Sequence, residues 1–166
     1  MTGAPGHTVR GRGFMSLEKN ATMLARLPFF RAFADQQIRL IAFGSDTVQL
    51  QRGDTLFRMG EQADSAFLVV EGTIELSSDR TGMRLTRDIV RSGSLIGPLA
   101  LLCAGERPLH AQAMTASTVL RIRRDMVRRV LAEYPDAARR LYTTMSEDLN
   151  RFMGDLNRAE RLLRAA

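Results

Sequence analysis

Short apolar stretches that alternate with polar residues fill the middle of the chain, residues 47–122. They recur roughly every eight to twelve residues and are separated by glycines, a spacing typical of short strands and turns. The apolar positions are Val48, Leu50, Leu56, Phe67 to Val70, Ile74, Leu76, Met83, Leu85, Ile89, Ala111, Ala113, Leu120 and Ile122. A parallel α/β sheet would need helices between its strands, and none is indicated. We therefore predict a mainly β barrel or jelly roll here.

Two short helices are predicted before the strands. The first covers residues 16–26 with Ser16 as its N-cap, and the second covers residues 35–43 with Asp35 as its N-cap and Gly44 in the C′ position. Residues 1–14 are rich in Gly and Pro and poor in apolar residues, so we interpret them as a disordered tail.

Helical periodicity returns after the strands. A short helix that Asp125 can cap ends before Pro135, and a long helix follows over residues 136–163. Its apolar residues lie three or four apart and, after the first step, form a heptad seam: Leu141, Met145, Leu149, Phe152, Leu156, Ala159 and Leu163. The helix either packs on its own domain or pairs with a second copy. Because it is too long to be covered by a domain of about 75 residues, we favour a parallel homodimer.

Composition narrows the class of protein. The chain has 45% apolar and 25% charged residues, as a globular domain does, and no apolar run long enough to cross a membrane. Its N-terminus lacks the apolar segment of a secretion signal, so we expect a cytoplasmic protein. The net charge is +6, and every basic residue except Lys19 is arginine. Since no run of five like charges occurs, we favour a solvated surface over a functional basic face.

The residue types of the chain give little support for an enzymatic activity. The only histidines are His7 and His110, and the only cysteine is Cys103, too few for a cluster of metal ligands. We interpret Cys103 as a buried cysteine and His110 as a loop histidine, with a Cys–His nucleophile or a haem ligand as the alternative. We expect no enzymatic activity and no metal.

Two blocks of sequence carry a family resemblance. The first is QRGDTLFRMGEQADSAFLVVEGTIEL (residues 51–76), in which the matching positions are Gly53, Gly60, Glu61, Asp64, Phe67, Val69, Val70, Gly72, Ile74 and Leu76. The second is GSLIGPLALL (residues 93–102), and ASTVLRIRRDMVRRVL follows further on. These blocks resemble the cyclic-nucleotide-binding domain family, in particular bacterial catabolite-activator-like regulators.

The resemblance implies an architecture. It is a β-roll, jelly-roll-like, with short N-terminal helices, a short helix in the phosphate-binding cassette, a hinge helix and a long C-terminal dimerisation helix. Residues 15–134 then form the binding domain and residues 135–166 the long helix. DNA-binding members of the family carry a helix-turn-helix domain after that helix. The sequence ends at Ala166, where this domain would begin, so we do not expect direct DNA binding, whether the chain is a piece of a longer regulator or lacks a reader domain.

The resemblance also implies a ligand site. Arg107 matches the arginine that binds the cyclic phosphate, and Gly97, Leu99 and Ala100 would shape the pocket. Two positions depart from the family pattern: Pro98 replaces the glutamate that binds the ribose, and Pro108 replaces the residue whose backbone N–H binds the phosphate. Proline supplies neither group. Each lost charged hydrogen bond removes about 1.5–3 kcal/mol, so we expect affinity to fall by about two to four decades.

A third departure concerns the base. Counting from Pro135, the family's base-binding position falls at Phe152 and Met153. These apolar residues either cap a base or belong to the dimer core, and we favour the core.

Two functions follow from these expectations. The first is a non-enzymatic sensor that binds cyclic AMP, cyclic GMP or a related small anion in a modified cassette and signals through the dimer helix. The second is a degenerate domain that no longer binds cyclic nucleotide and acts as a dimeric partner of another protein.

Overall fold

The computed structural model describes residues 14–80 and 82–164. The α-helices are α1 (Phe14–Ala25), α2 (Asp35–Phe43), α3 (Arg124–Glu133) and α4 (Pro135–Arg164). The strands are β1 (Asp46–Leu50), β2 (Thr55–Phe57), β3 (Ser65–Glu71), β4 (Thr73–Arg80), β5 (Met83–Arg91), β6 (Leu95–Ile96), β7 (His110–Ala113) and β8 (Ser117–Arg123). Two 3-10 helices are Pro28–Ala32 and Pro98–Leu101, and we call the second the cassette helix.

The strands form two antiparallel sheets, which confirms the predicted β-roll with its flanking helices. One sheet has the order β1-β8-β3-β6 and the other the order β2-β7-β4-β5. Neighbours in both sheets are largely distant in sequence, as in a jelly roll and unlike a simple meander. The sheets pack against each other through residues such as Val48, Phe67, Ile74 and Val119.

Strand β3 is apolar on both faces because it lies between two cores. Phe67 and Val69 face the interior of the roll, whereas Ala66, Leu68 and Val70 belong to a second core formed with the helices. This position explains why β3 has a continuous run of buried residues rather than an alternating pattern.

The helices close the outer face of the first sheet. Leu24 of α1, Ile41 of α2, Val127 of α3 and Leu141 of α4 are buried in one cluster. The cassette helix joins it through Leu101, which is fully buried. The α4 helix extends beyond this cluster, and residues 147–162 are exposed throughout.

The N-terminal predictions need correction at their ends. The first helix begins at Phe14, inside the predicted tail and before the expected N-cap Ser16, while residues 1–13 of that tail lie outside the described residues. The second helix has the predicted bounds, but Ala34 is its N-cap, and the Ala34 N–H is satisfied by the Gln37 side chain at 2.9 Å. Asp35 is instead the first helical residue, where its negative charge favours the helix dipole.

Gly44 follows α2 for a different reason from the predicted one. Its φ of −81° is ordinary for any residue, so no left-handed C′ conformation requires it. A Cβ at this position would lie 2.7 Å from the Met126 sulfur. The Met126 side chain of α3 would therefore have to shift to make room for a larger residue.

The β3–β4 turn is the point where a glycine matters most. Gly72 has a φ of +90°, and a Cβ there would lie 2.6 Å from the Ala116 carbonyl oxygen and 2.7 Å from the Ser117 Cα. Gly53 has a similar φ of +92°, but no atom would lie within 4 Å of its Cβ.

We predict that Gly72→Ala destabilises the fold more than Gly53→Ala does. Both substitutions incur the left-handed strain of about 1–2 kcal/mol, and Gly72→Ala adds a clash worth about 1–3 kcal/mol. Urea unfolding of the two variants measures this difference. Equal losses in the free energy of unfolding would contradict the close packing of this turn.

Candidate functional site

A cavity of about 500 Å³ opens at one end of the β-roll, within the size range of small-molecule sites. Strands β1, β3 and β8 form one wall, and β2 with the loop after it forms another. The lining residues are Asp46, Val48, Leu56, Phe57, Glu61, Gln62, Asp64, Ser65, Phe67, Arg107, Arg121 and Arg123. The lining of the cavity thus combines aromatic rings with charged groups of both signs.

Arg107 is the most deeply buried charged group of this wall, with 5% of its surface exposed. Its Nη2 donates to the Ser65 carbonyl at 2.7 Å and approaches the Ser65 hydroxyl at 3.3 Å. The guanidinium carbon lies 4.3 Å from the centre of the Phe57 ring and 5.3 Å from that of Phe67. The acceptors and rings hold the cation in place without neutralising it.

The cassette approaches Arg107 from the other side of the guanidinium. Gly97 has a φ of +68° and is the N-cap of the cassette helix. A Cβ at Gly97 would lie 3.0 Å from Arg107 Nη1, so a larger residue would press on the guanidinium. The left-handed conformation and this contact both favour glycine.

Ser65 connects Arg107 to a second arginine. The Ser65 hydroxyl donates to Asp64 Oδ1 at 2.8 Å and accepts from Arg121 Nε at 3.1 Å. Arg121 Nη2 also donates to both oxygens of Asp64, at 3.1 and 3.0 Å. The β3–β8 register, which places Arg121 opposite Phe67, positions these groups. Two guanidinium groups therefore lie within hydrogen-bonding distance of one fully buried hydroxyl.

This arrangement shifts two ionisation equilibria. Burial lowers the pKa of Arg107, and the positive charges of Arg121 and Arg124 lower it further, against the opposing charges of Asp64 and Glu61. Burial alone would raise the pKa of Asp64, but the hydrogen bonds from Ser65 and Arg121 and the charge of Arg121 outweigh it, so this pKa lies below its ordinary value. Asp64 therefore stabilises the fold at neutral pH, and this contribution is lost in acid as the carboxylate is protonated.

The predicted ligand residues are only partly brought together. Arg107 lines the cavity, and Gly97 lies beside the Arg107 guanidinium. Ala100 is buried in the cassette helix. Pro98 and Leu99 instead line a separate groove of about 210 Å³ against the start of α4. Pro108 is exposed.

The predicted α4 residues divide into two groups. Leu141 is buried in the domain's own core, and Met145 lines the groove beside Pro98 and Leu99. Leu149, Phe152, Met153 and Leu156 are about half exposed or more and lie beyond the core. The side chain of Leu163 lies outside the described residues.

Sequence reasoning missed most partners of Arg107. The sequence marks Asp64 and Phe67 only as positions that match the family, and it gives no sign that Ser65, Phe57 and Arg121 belong to the site. Alternation along β3 and β8 places Ser65 and Arg121 on the inner face of the roll, which is the one signal that could have found them.

The two residues considered for catalysis have environments opposite to those predicted. Cys103 is exposed, whereas His110 is buried in β7, where its Nδ1 accepts from the Met59 N–H and its Nε2 donates to Asp79 at 2.9 Å. In the described part of the chain, no group of three or more His, Cys, Asp or Glu could hold a metal ion. No helix within residues 14–80 and 82–164 is both long and apolar enough to cross a membrane.

Comparison with known proteins identifies the family and the fold. Residues 47–134 match the family model described as "Cyclic nucleotide-binding domain". The N-terminal domain of a transcriptional regulator from Streptomyces coelicolor A3(2) superposes with a TM-score of 0.75 and 28% identity, over 81% of this chain and 94% of that one. A cyclic nucleotide-binding-like protein from Brucella abortus gives a TM-score of 0.64 and 35% identity, over 68% of this chain and 97% of that one.

Curated sequences extend the comparison to longer proteins. The CRP-like cAMP-activated global transcriptional regulator of Mycobacterium tuberculosis is 23% identical over 135 residues, which are 81% of this chain and 60% of the relative. In the first three curated matches, the chain spans between 29% and 60% of the relative's length.

We predict that Ser65→Ala costs about 1–3 kcal/mol of stability, because the buried guanidinium of Arg107 and the half-buried one of Arg121 lose their shared acceptor. The pKa of Asp64 should rise as well, since its carboxylate loses a hydrogen bond. Urea unfolding and NMR titration of Asp64 measure the two effects.

Ser45→Ala is the matched control. Ser45 is also buried, but its hydroxyl makes one neutral hydrogen bond, to the Ile41 carbonyl at 2.6 Å. Its loss should cost only about 0.5–1.5 kcal/mol and leave the pKa of Asp64 unchanged. If Ser65→Ala behaved like this control, the hydroxyl would not connect the two arginines.

Proposed function

The chain belongs to the cyclic nucleotide-binding domain family, and on this premise we propose that it is a regulatory module that binds a small anion beside Arg107 and signals through α4. Cyclic AMP, cyclic GMP and related anionic nucleotides are the candidate ligands. The M. tuberculosis relative is described as cAMP-activated, so cyclic AMP is the first ligand to test.

The observation that carries this proposal is that Arg107 is buried on the cavity wall without an ion-pair partner. Among the ion pairs of the described residues none includes Arg107, whereas Arg121 and Arg123 pair with Asp64 and Asp46. The charges of Asp64 and Glu61 offset the burial of this cation only in part, since its pKa stays lowered, so a further anion beside it is favourable. A planar guanidinium on the wall of a cavity is well suited to bind a phosphate.

The cassette helix supports the same assignment. Gly97 lies against Arg107, and the peptide after it begins a short helical turn. We propose that an anion held by Arg107 changes the position of this turn relative to α3. Occupancy would then shift the population of α3 and α4 arrangements, by as much as the ligand's affinities for them differ.

A second function is favoured by the two prolines. Pro98 has no carboxylate and Pro108 has no N–H, and in this chain the Ser65 carbonyl already accepts from Arg107. A domain with these changes could retain the fold as a dimeric protein-interaction module. The two functions differ in whether any anion binds at Arg107.

The exposed part of α4 supports a homodimer in either case. Met145, Leu149, Phe152 and Leu156 lie at steps of four, three and four, and between 38% and 61% of each is exposed. An apolar seam at heptad spacing on a helix that extends past its domain is suited to pair with a second copy of itself. We propose this seam as the dimer interface.

We predict that cyclic AMP binds the wild-type chain and that Arg107→Gln weakens it roughly 10- to 100-fold, as loss of a charged hydrogen bond requires. Titration calorimetry measures the affinity. Arg52→Gln, at an exposed turn outside the cavity, should bind as the wild type does.

The double substitution Pro98→Glu with Pro108→Ser distinguishes the two functions. If the chain is a sensor, the wild type binds cyclic AMP measurably and the double variant binds it more tightly. If the wild type shows no heat with cyclic AMP, cyclic GMP or a cyclic dinucleotide and the double variant does, the chain is a degenerate domain that lost these contacts. No heat from either protein would reject nucleotide binding at Arg107.

We also predict that Leu149→Arg combined with Leu156→Arg converts a dimer to a monomer. Two seam leucines would lose about 1.5–3 kcal/mol of burial each, and the added charges would repel across the interface. Sedimentation equilibrium gives the mass. Asn150→Arg and Asn157→Arg, each one residue away, form the control and should leave the dimer intact; a monomeric wild type would reject the interface.

A further inference from the structure

Arg124 connects α3 to both segments that frame the Arg107 site. It is the first residue of α3, and its backbone N–H donates to the Asp64 carbonyl at 2.9 Å. Its side chain reaches back to two further carbonyls: Nε donates to Ala100 at 2.7 Å, and Nη2 donates to Ala63. One residue thus joins a helix, the cassette and the loop before β3.

Each carbonyl belongs to a segment that touches Arg107. Ala100 lies in the cassette helix, which begins immediately after Gly97 and its contact with Arg107 Nη1. Ala63 comes two residues before Ser65, which binds Arg107, and the Ala63 N–H donates to the Gly105 carbonyl at 2.8 Å. A change in the position of Arg107 therefore reaches Arg124 through either segment.

The cassette helix, α3 and α4 are also joined by apolar contacts. Val127 and Val130 of α3 are buried in the helical core together with Leu101 of the cassette helix and Leu141 of α4. Apolar packing is not directional and tolerates small displacements, whereas hydrogen bonds weaken steeply with distance and angle. Among the contacts between α3 and the cassette helix, the Arg124 hydrogen bonds are thus the most sensitive to a movement of the cassette helix.

The charges of Arg107 and Arg124 also connect the site to α3. Arg124 takes part in none of the ion pairs of the described residues, and its positive charge acts unfavourably on Arg107. An anion beside Arg107 would relieve this repulsion. Binding would therefore change the interaction of Arg107 with the residue that begins α3, which a coupling between two sites requires.

We propose that Arg124 is the positioning residue that couples occupancy of the Arg107 site to α3 and α4, through its hydrogen bonds to Ala100 and Ala63. This inference rests on the proposed function, since it takes Arg107 as the anion-binding residue. It adds how the site communicates with the helices.

The first test uses the full chain without ligand. Arg124→Met keeps an unbranched apolar stem but removes the donors, and Arg124→Lys keeps the charge and part of the donors. Arg128→Met changes an exposed arginine one turn further along α3. Hydrogen exchange follows the amides of Leu102 and Cys103, which both bond to the Leu99 carbonyl. We expect exchange about tenfold faster in Arg124→Met, an intermediate rate in Arg124→Lys and the wild-type rate in Arg128→Met.

The second test is a double-mutant cycle between the site and the connection. Arg107→Gln should change the exchange of α3 amides in the wild-type background and have less than half that effect in the Arg124→Met background. Equal effects in both backgrounds, or unchanged exchange at Leu102 and Cys103 in Arg124→Met, would overturn the inference. If Arg124→Met does not fold, Arg124→Lys carries the same comparison with a smaller expected amplitude.

A third test, with cyclic AMP, distinguishes a failure of this inference from a failure of the proposed function. We expect Arg124→Met to bind cyclic AMP within about threefold of the wild type, yet to lose most of the ligand-induced change in α3 and α4 exchange. A full ligand-induced change in Arg124→Met would overturn the coupling. If cyclic AMP binds neither protein, the proposed ligand fails, and the double-mutant cycle still decides whether Arg124 couples the two regions.

Discussion

The buried charge of Arg107 is the constraint on which the rest of this site depends. A guanidinium removed from water needs acceptors and close-packed neighbours, and here they come from three directions. Strand β3 supplies the Ser65 carbonyl, Phe57 covers one face of the cation, and Gly97 leaves space for Nη1. These contacts satisfy the hydrogen-bond geometry of the cation but give it no ion-pair partner, and Asp64 and Glu61 offset its burial only in part, so the cavity beside it is suited to an anion.

The site lies where two cores meet, and this position explains how binding can reach the helices. The interior of the roll holds Phe57 and Phe67, whereas the cassette helix is anchored in the helical core by Leu101. Gly97, at the start of that helix, touches Arg107. A movement of the cation would therefore reach a segment whose other end packs on α3, and the Arg124 hydrogen bond to Ala100 is the contact there that is most sensitive to it.

Much of the fold could be predicted from local patterns, and the errors have physical reasons. Alternation and glycine spacing predicted the strands, and heptad spacing predicted α4. Asp35 is not the N-cap of α2, and Gly44 caps its end without a left-handed conformation, because a cap depends on backbone angles that neighbouring packing sets. Cys103 and His110 were assigned the wrong environments because burial depends on which surfaces the folded chain brings together.

The sequence by itself determined the order of the elements, the family and the single arginine, Arg107, to which the resemblance assigns an anion. Only the tertiary structure decided what surrounds that arginine. Ser65 binds Arg107, and Arg121 reaches the Ser65 hydroxyl because β3 pairs with β8 in a particular register. Arg124 reaches the cassette because α3 follows β8 directly. Strand pairing joins residues that are far apart in the chain, so the partners of a buried charge depend on long-range contacts and are invisible to patterns read over a few residues.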